Sequence, residues 1–192
     1  MTSTLNIDLV QAHGACAPNC EILRMLFPDG TIVFDMSNYE RVRDAKVNIM
    51  WAACLLPVEN QHEIALAWYD RALATATPPW KASLRALLAN PAQGAASAQL
   101  NSRLADRRGV DATDATAVAV SGVGYAAAAL AMKFAEAGTH YTRTMAALVV
   151  MAQWCAQAAA VSESKEMDVV YDEIRASVWR ALQDHGAILD AP

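Results

Sequence analysis

An all-α fold, a compact bundle of six to eight helices with a central Ala/Gly-rich helical hairpin, is what this sequence predicts. Three observations carry that expectation. Alanine dominates, while β-branched and aromatic runs of strand type are almost absent. Apolar residues return every three or four positions, the period of one helix face. Proline and most glycines fall between those stretches or in a first turn, where helices start and stop. With 55% apolar and 18% charged residues, the chain has the reverse of a disordered composition. Its 192 residues are enough to bury roughly two thirds of the unfolded surface.

Taken in order, Asn6 caps a short helix through Ile7, Leu9 and Val10 that Gly14 stops. Pro18 suits a first helical turn and opens a helix through Ile22, Leu23 and Leu26, closed by the turn Pro28-Asp29-Gly30. Residues 31–34, Thr-Ile-Val-Phe, form the one expected strand, at most a short one and without an obvious partner. Ser37 and Glu40 make a capping box, and Val42, Ala45, Ile49, Ala53 and Leu56 mark a helix running to Leu56, before Pro57. A helix over 59–76 places Ile64, Ala67, Trp68 and Ala72 on one stripe, and a short helix covers 80–89.

Residues 92–108 include Gly94, Ser97, Asn101 and Ser102 and read as a linker or marginal helix. They separate an N-terminal helical module, 1–91, from 109–192, a hairpin plus an amphipathic helix expected to pack with it as one unit. The hairpin runs over 113–137, turns at Gly138, and returns from 139 or 140 to 161. The last helix, 164–185, turns Val170, Ile174, Val178, Ala181 and Leu182 inward and Glu166, Asp172, Glu173, Arg180 and Asp184 outward.

No charge occurs in 115–132 or in 144–162, so both arms of the hairpin approach membrane-spanning length. The first is Ala, Gly, Ser and Thr rather than Leu or Phe, and the second carries Gln153 and Gln157, so a buried hairpin or a dimer seam, not a membrane span, is expected. Ala119, Gly122, Ala126 and Ala129 form a small-residue face that admits another helix closely: the returning arm near Ala147, Val150 and Trp154, or a second subunit. The helix is apolar nearly all round, which predicts a homodimer with this hairpin at the core or the interface.

Charge narrows the function classes. Against 20 Asp+Glu stand 15 Lys+Arg, a balance unsuited to a broad phosphate-binding groove, so nucleic acid is an unlikely partner. The only basic grouping is Arg85 with Arg103, Arg107 and Arg108, a candidate contact for an anion or an acidic partner whose ordinary alternative is a solvated helix end. Residues 1–8 show neither the basic nor the apolar region of a secretory signal, which predicts a cytoplasmic chain. Cys54 and Cys155 read as small core hydrophobes, and most of the tryptophans Trp51, Trp68, Trp80, Trp154 and Trp179 as core or pocket walls.

Several motifs fail on their surroundings. Gly122-Val123-Gly124-Tyr125-Ala126-Ala127 matches the dinucleotide fingerprint in letters, but no acidic residue follows from 139 through 162 to hold a ribose. His13, Cys16 and Cys20 offer three metal ligands in eight residues, at a spacing foreign to zinc fingers and ribbons and without a fourth ligand nearby. His62-Glu63 begins a metalloprotease helix whose second histidine position is Leu66. Asp111 with Asp114, and Asp168 with Asp172 and Glu173, sit at helix starts or on a solvated face. No catalytic residue, cofactor or metal is therefore assigned.

His13-Gly14-Ala15-Cys16, Leu26-Phe27-Pro28-Asp29-Gly30 and Trp51-Ala52-Ala53-Cys54-Leu55-Leu56 together resemble the opening of small uncharacterised proteins of phages and bacteria. The resemblance covers about residues 5–56 and brings no reaction with it. It implies a phage-linked origin, a small helical module and a structural role for Cys16. The expected function is a non-enzymatic helical factor that binds another protein, as an inhibitor or immunity-like protein in phage–host conflict. The alternative is a small-molecule-binding protein or enzyme with a pocket between the hairpin and the N-terminal helices.

Overall fold

The structure, a computed structural model, describes residues 3–12, 16–90, 113–135 and 141–187, with the backbone alone at 12 and 141–143. The described residues form eight α-helices, one 3₁₀ helix and a two-stranded sheet, divided between two units: residues 1–61 with 175–192, and residues 62–174. The expectations for Gly14, for 92–108 and for the Gly138 turn fall outside the described residues.

In the first unit, β1 (Thr4–Asn6) leads directly into α1 (Ile7–Ala12), and α2 (Ala17–Leu26) is followed by β2 (Thr31–Val33). The strand expected at 31–34 has a partner after all. β1 pairs with it antiparallel, Leu5 opposite Ile32, and both of these side chains are buried while Thr4 and Asn6 face outward. Three residues that run straight into a helix carry no alternation by which a sequence could mark such a partner. Two further backbone bonds extend the ladder, Ile7 N to Gly30 O at 2.9 Å and Phe34 N to Ser3 O at 3.0 Å. Gly30 holds φ +74°, the left-handed conformation that turns α2 back into β2.

Helix α3 (Met36–Asp44) is capped by Asp35, whose carboxylate accepts from Asn38 N at 2.8 Å, and not by Ser37. Nor does it reach Leu56. Lys46 adopts φ +56°, Lys46 N donates to Arg43 O and Val47 N to Val42 O, the paired bonds of a helix end. Asn48 then offers its side-chain oxygen to Met50 N at 3.1 Å and starts a 3₁₀ helix, Met50–Leu55, in which every residue is buried. The three-and-four spacing from Val42 to Leu56 was thus a coincidence between two elements. Buried Gln61 closes this segment by donating to Cys54 O at 3.1 Å and Leu56 O at 2.8 Å.

α8 (Met167–His185) supplies the remaining wall of the unit from Arg175 onward. Trp179 stands edge-on to Phe34 with ring centroids 4.9 Å apart, leans on Tyr39, and donates its indole N–H to Asp35 O at 2.8 Å. The face expected for α8 is present: Val170, Ile174, Val178 and Leu182 are buried and Ala181 half-buried.

The second unit holds the rest of α4 (Val58–Ala72), α5 (Lys81–Ala89), α6 (Ala115–Ala135), α7 (Tyr141–Glu163) and the start of α8. The buried stripe of α4 is Ala65, Trp68, Tyr69, Ala72 and Leu73, rotated from the expected one, so that Ala67 is exposed and Ile64 half-buried. Tyr69 donates to Lys81 O at 2.8 Å, and Lys81 Nζ in turn donates to Leu73 O and Ala76 O, capping α4 at its end. The desolvation that accompanies this burial raises the Tyr69 phenol. α5 packs on α6, and α6 packs along α7.

Asp114 caps α6 by accepting from Ala117 N at 3.0 Å. Ala119, Gly122 and Ala126 are buried and Ala129 half-buried. A Cβ on Gly122 would run into the body of the Trp154 indole, so the close approach expected of this face is made by α7 of the same chain. The Gly-x-Gly letters therefore lie in mid-helix, where a glycine accommodates an aromatic ring rather than a pyrophosphate.

Candidate functional site

Arg85 is the one described member of the expected basic grouping; Arg103, Arg107 and Arg108 lie outside the described residues. It stands in a two-pronged pair with Asp70, Nε to Oδ1 and Nη2 to Oδ2 both at 2.8 Å. The hydrogen bonds that Arg85 donates to Asp70 hold its pKa above its ordinary value. A guanidinium whose fork is already occupied offers little to an incoming anion.

A second ionic group joins residues that no sequence pattern linked. Arg71 on α4 donates to both carboxylate oxygens of Glu163 on α7, at 2.6 and 2.9 Å, and to Glu173 on α8. Lys165 lies 2.9 Å from Glu163 and 3.3 Å from Glu173. The Arg71 and Lys165 hydrogen bonds hold Glu163 down at about 2, and the same partners lower Glu173. Carboxylates kept ionised in this way have no proton to give near neutrality. Glu173 is exposed, as its reading on a solvated face expects, and it also joins α8 to Arg71 of α4, which in turn holds Glu163 of α7. A separation of 92 residues between Arg71 and Glu163 left nothing for pattern reading to find.

Of the proposed metal ligands, His13 lies outside the described residues, Cys16 is exposed and Cys20 buried. Among the described residues no three His, Cys, Asp or Glu side chains gather as a metal site. Burial pushes the Cys54 thiol up to about 12 and raises that of Cys155 as well, which suits core packing and not nucleophilic attack. His62 packs on the ring of Phe134, centroids 4.1 Å apart, and Asp114 is spent on its cap. In the first unit, a dimple lined by Tyr39, Val42, Arg43, Val47, Ile49 and Arg175 holds about 130 Å³ counting space open to solvent. That is well below the several hundred Å³ of ordinary ligand sites.

Among the described residues, exposed apolar side chains also stand on the outer face of the hairpin. Tyr125 on α6 is 57% exposed, and Val150 and Val161 on α7 are each 40% exposed. Ala146 and Gln153 are exposed and Gln157 half-buried, so Ala146, Val150, Gln153, Gln157 and Val161 form one stripe spaced by four, three, four and four. No charged side chain interrupts 115–132 or 144–162. Both helices are long and apolar enough to cross a membrane by length and composition, and 56% and 44% of their most apolar windows are buried inside the chain. Trp51, Trp68, Trp80 and Trp179 are buried and Trp154 is half-buried, while Tyr125 on α6 is exposed.

Compared with known protein families, curated proteins and solved structures, the chain matches none of them.

Proposed function

We propose that this chain is a non-enzymatic protein-binding factor that docks a protein on the outer face of the α6–α7 hairpin. One observation carries the reading: Tyr125, Val150 and Val161 stand in solvent on helices without a charge over most of their length. Apolar surface held in water is unfavourable by about 25 cal/mol per Å², and apolar patches on natural proteins mark interaction sites. Gln153 and Gln157 on the same stripe favour a protein over lipid, because hydrocarbon would strip their amides of hydrogen-bond partners. The phage-like opening from His13 to Leu56 supports placing the factor in phage–host conflict, as an inhibitor or immunity-like protein.

The test replaces Tyr125 by a photo-crosslinking phenylalanine analogue in living cells, with the same analogue at exposed Glu59 as the control. A discrete protein adduct through position 125 that is missing through position 59 is the expected result. No adduct at 125 overturns the reading.

A further inference from the structure

Resting on that reading of the hairpin face, we infer that the protein it docks is a second copy of the same chain, related by a two-fold axis. A two-fold interface is self-complementary, and residues close to the axis meet their own copies. Any charge there would face its like, and few surfaces long enough to serve avoid that conflict. This one does. From 115 to 132 on α6 and from 144 to 162 on α7 there is neither an acid nor a base.

The polar groups on the stripe point the same way. An amide side chain is both donor and acceptor, so Gln153 and Gln157 can pair with the identical residues of another copy, as no carboxylate or ammonium pair can. Spacing sets the extent of the seam. Ala146, Val150, Gln153, Gln157 and Val161 make a straight line over more than four helical turns of α7. With the arms joined as a hairpin and Gly122 against Trp154, exposed Tyr125 stands about level with Val150. Tyr125 and Val150 therefore stand at one level near the middle of the two arms, and burial at the centre of an interface carries most of its energy.

Light scattering of the purified chain is expected to give twice the 20.6 kDa mass. Val150→Glu and Val150→Lys are each expected to give a monomer of unchanged helical circular dichroism, and their equimolar mixture to regain the doubled mass as opposite charges meet. Gln153→Arg, at an exposed position, provides a second disruption of the same stripe should either Val150 variant lose its helical signal. A monomeric parent chain, or variants that stay dimeric, overturns the inference. A monomer that crosslinks through position 125 to a different protein overturns the second copy but leaves the protein-binding reading standing. A monomer that instead floats with phosphatidylcholine–phosphatidylglycerol vesicles overturns both.

Discussion

Lys46 and Ser164 occupy backbone conformations that the chain ordinarily gives to glycine, at φ +56° and +54°. Each stands just past a helix end. Ser164 N donates to Val161 O and Lys165 N to Ala160 O, the same paired pattern that closes α3 around Lys46. A side chain in this conformation costs about 1 kcal/mol or somewhat more, which glycine does not incur. Lys46→Gly and Ser164→Gly are each expected to stabilise the protein by up to about 1 kcal/mol in urea unfolding, and a loss of stability at both sites would contradict the account. Gly122 is the opposite case. Its missing side chain is space already taken by Trp154, so Gly122→Leu is expected to cost about 1–3 kcal/mol or more by overpacking, read as a lower unfolding midpoint. These two kinds of glycine question differ in legibility. The Ala119, Gly122 and Ala126 spacing announced a close helix contact from sequence alone, whereas no pattern marks a lysine or serine as a left-handed helix end.

Among whole elements, legibility followed how completely one face decided the fold. α8 was readable because its buried residues, Val170, Ile174, Val178 and Leu182, keep a single period opposite a charged face. The stretch from Ile49 to Leu56 was not, since a segment buried at every residue has no face to show and its apolar residues satisfy any period one tries. The candidate site divides similarly. The uncharged hairpin arms were plain in the sequence, but which of their residues stayed in solvent depended on packing within the unit that no local spacing records. The joint of α4, α7 and α8 through Arg71, Glu163, Lys165 and Glu173 was invisible for the same reason, being made by distant residues. Its behaviour with pH follows from the direction of the carboxylate shifts. Both acids lie below their ordinary value of 4.5 when folded, so their contribution is complete above that pH and is lost as pH falls toward 2. Urea midpoints measured from pH 7 to pH 2 are expected to fall across this window, and to fall less in Arg71→Met, whose Glu163 and Glu173 are no longer held down by the guanidinium. An equal acid dependence in parent and variant would count against the joint.

At the scale of the molecule, the first unit is assembled from two pieces of chain, residues 1–61 and 175–192, with the second unit's sequence lying between them. Phe34, Tyr39 and the Asp35 carbonyl all contact Trp179, a residue 144 positions beyond Asp35. Removing everything after Ile174 is therefore expected to leave β2 and α3 without their aromatic wall. Limited proteolysis should then cut within 31–44 well before it cuts the α6–α7 hairpin, and equal protection of the two regions would show that Trp179 matters little to the first unit. The same arrangement bears on how the protein comes into being. On a ribosome, which releases the chain from its amino end, residues 62–174 emerge as one uninterrupted run and can settle while synthesis continues. The first sixty residues, although made earliest, must wait for the final helix, so the oldest part of the newborn molecule is the last to mature. An elongation stall before Trp179 would expose an unfinished apolar core to proteases and chaperones beside a unit already formed.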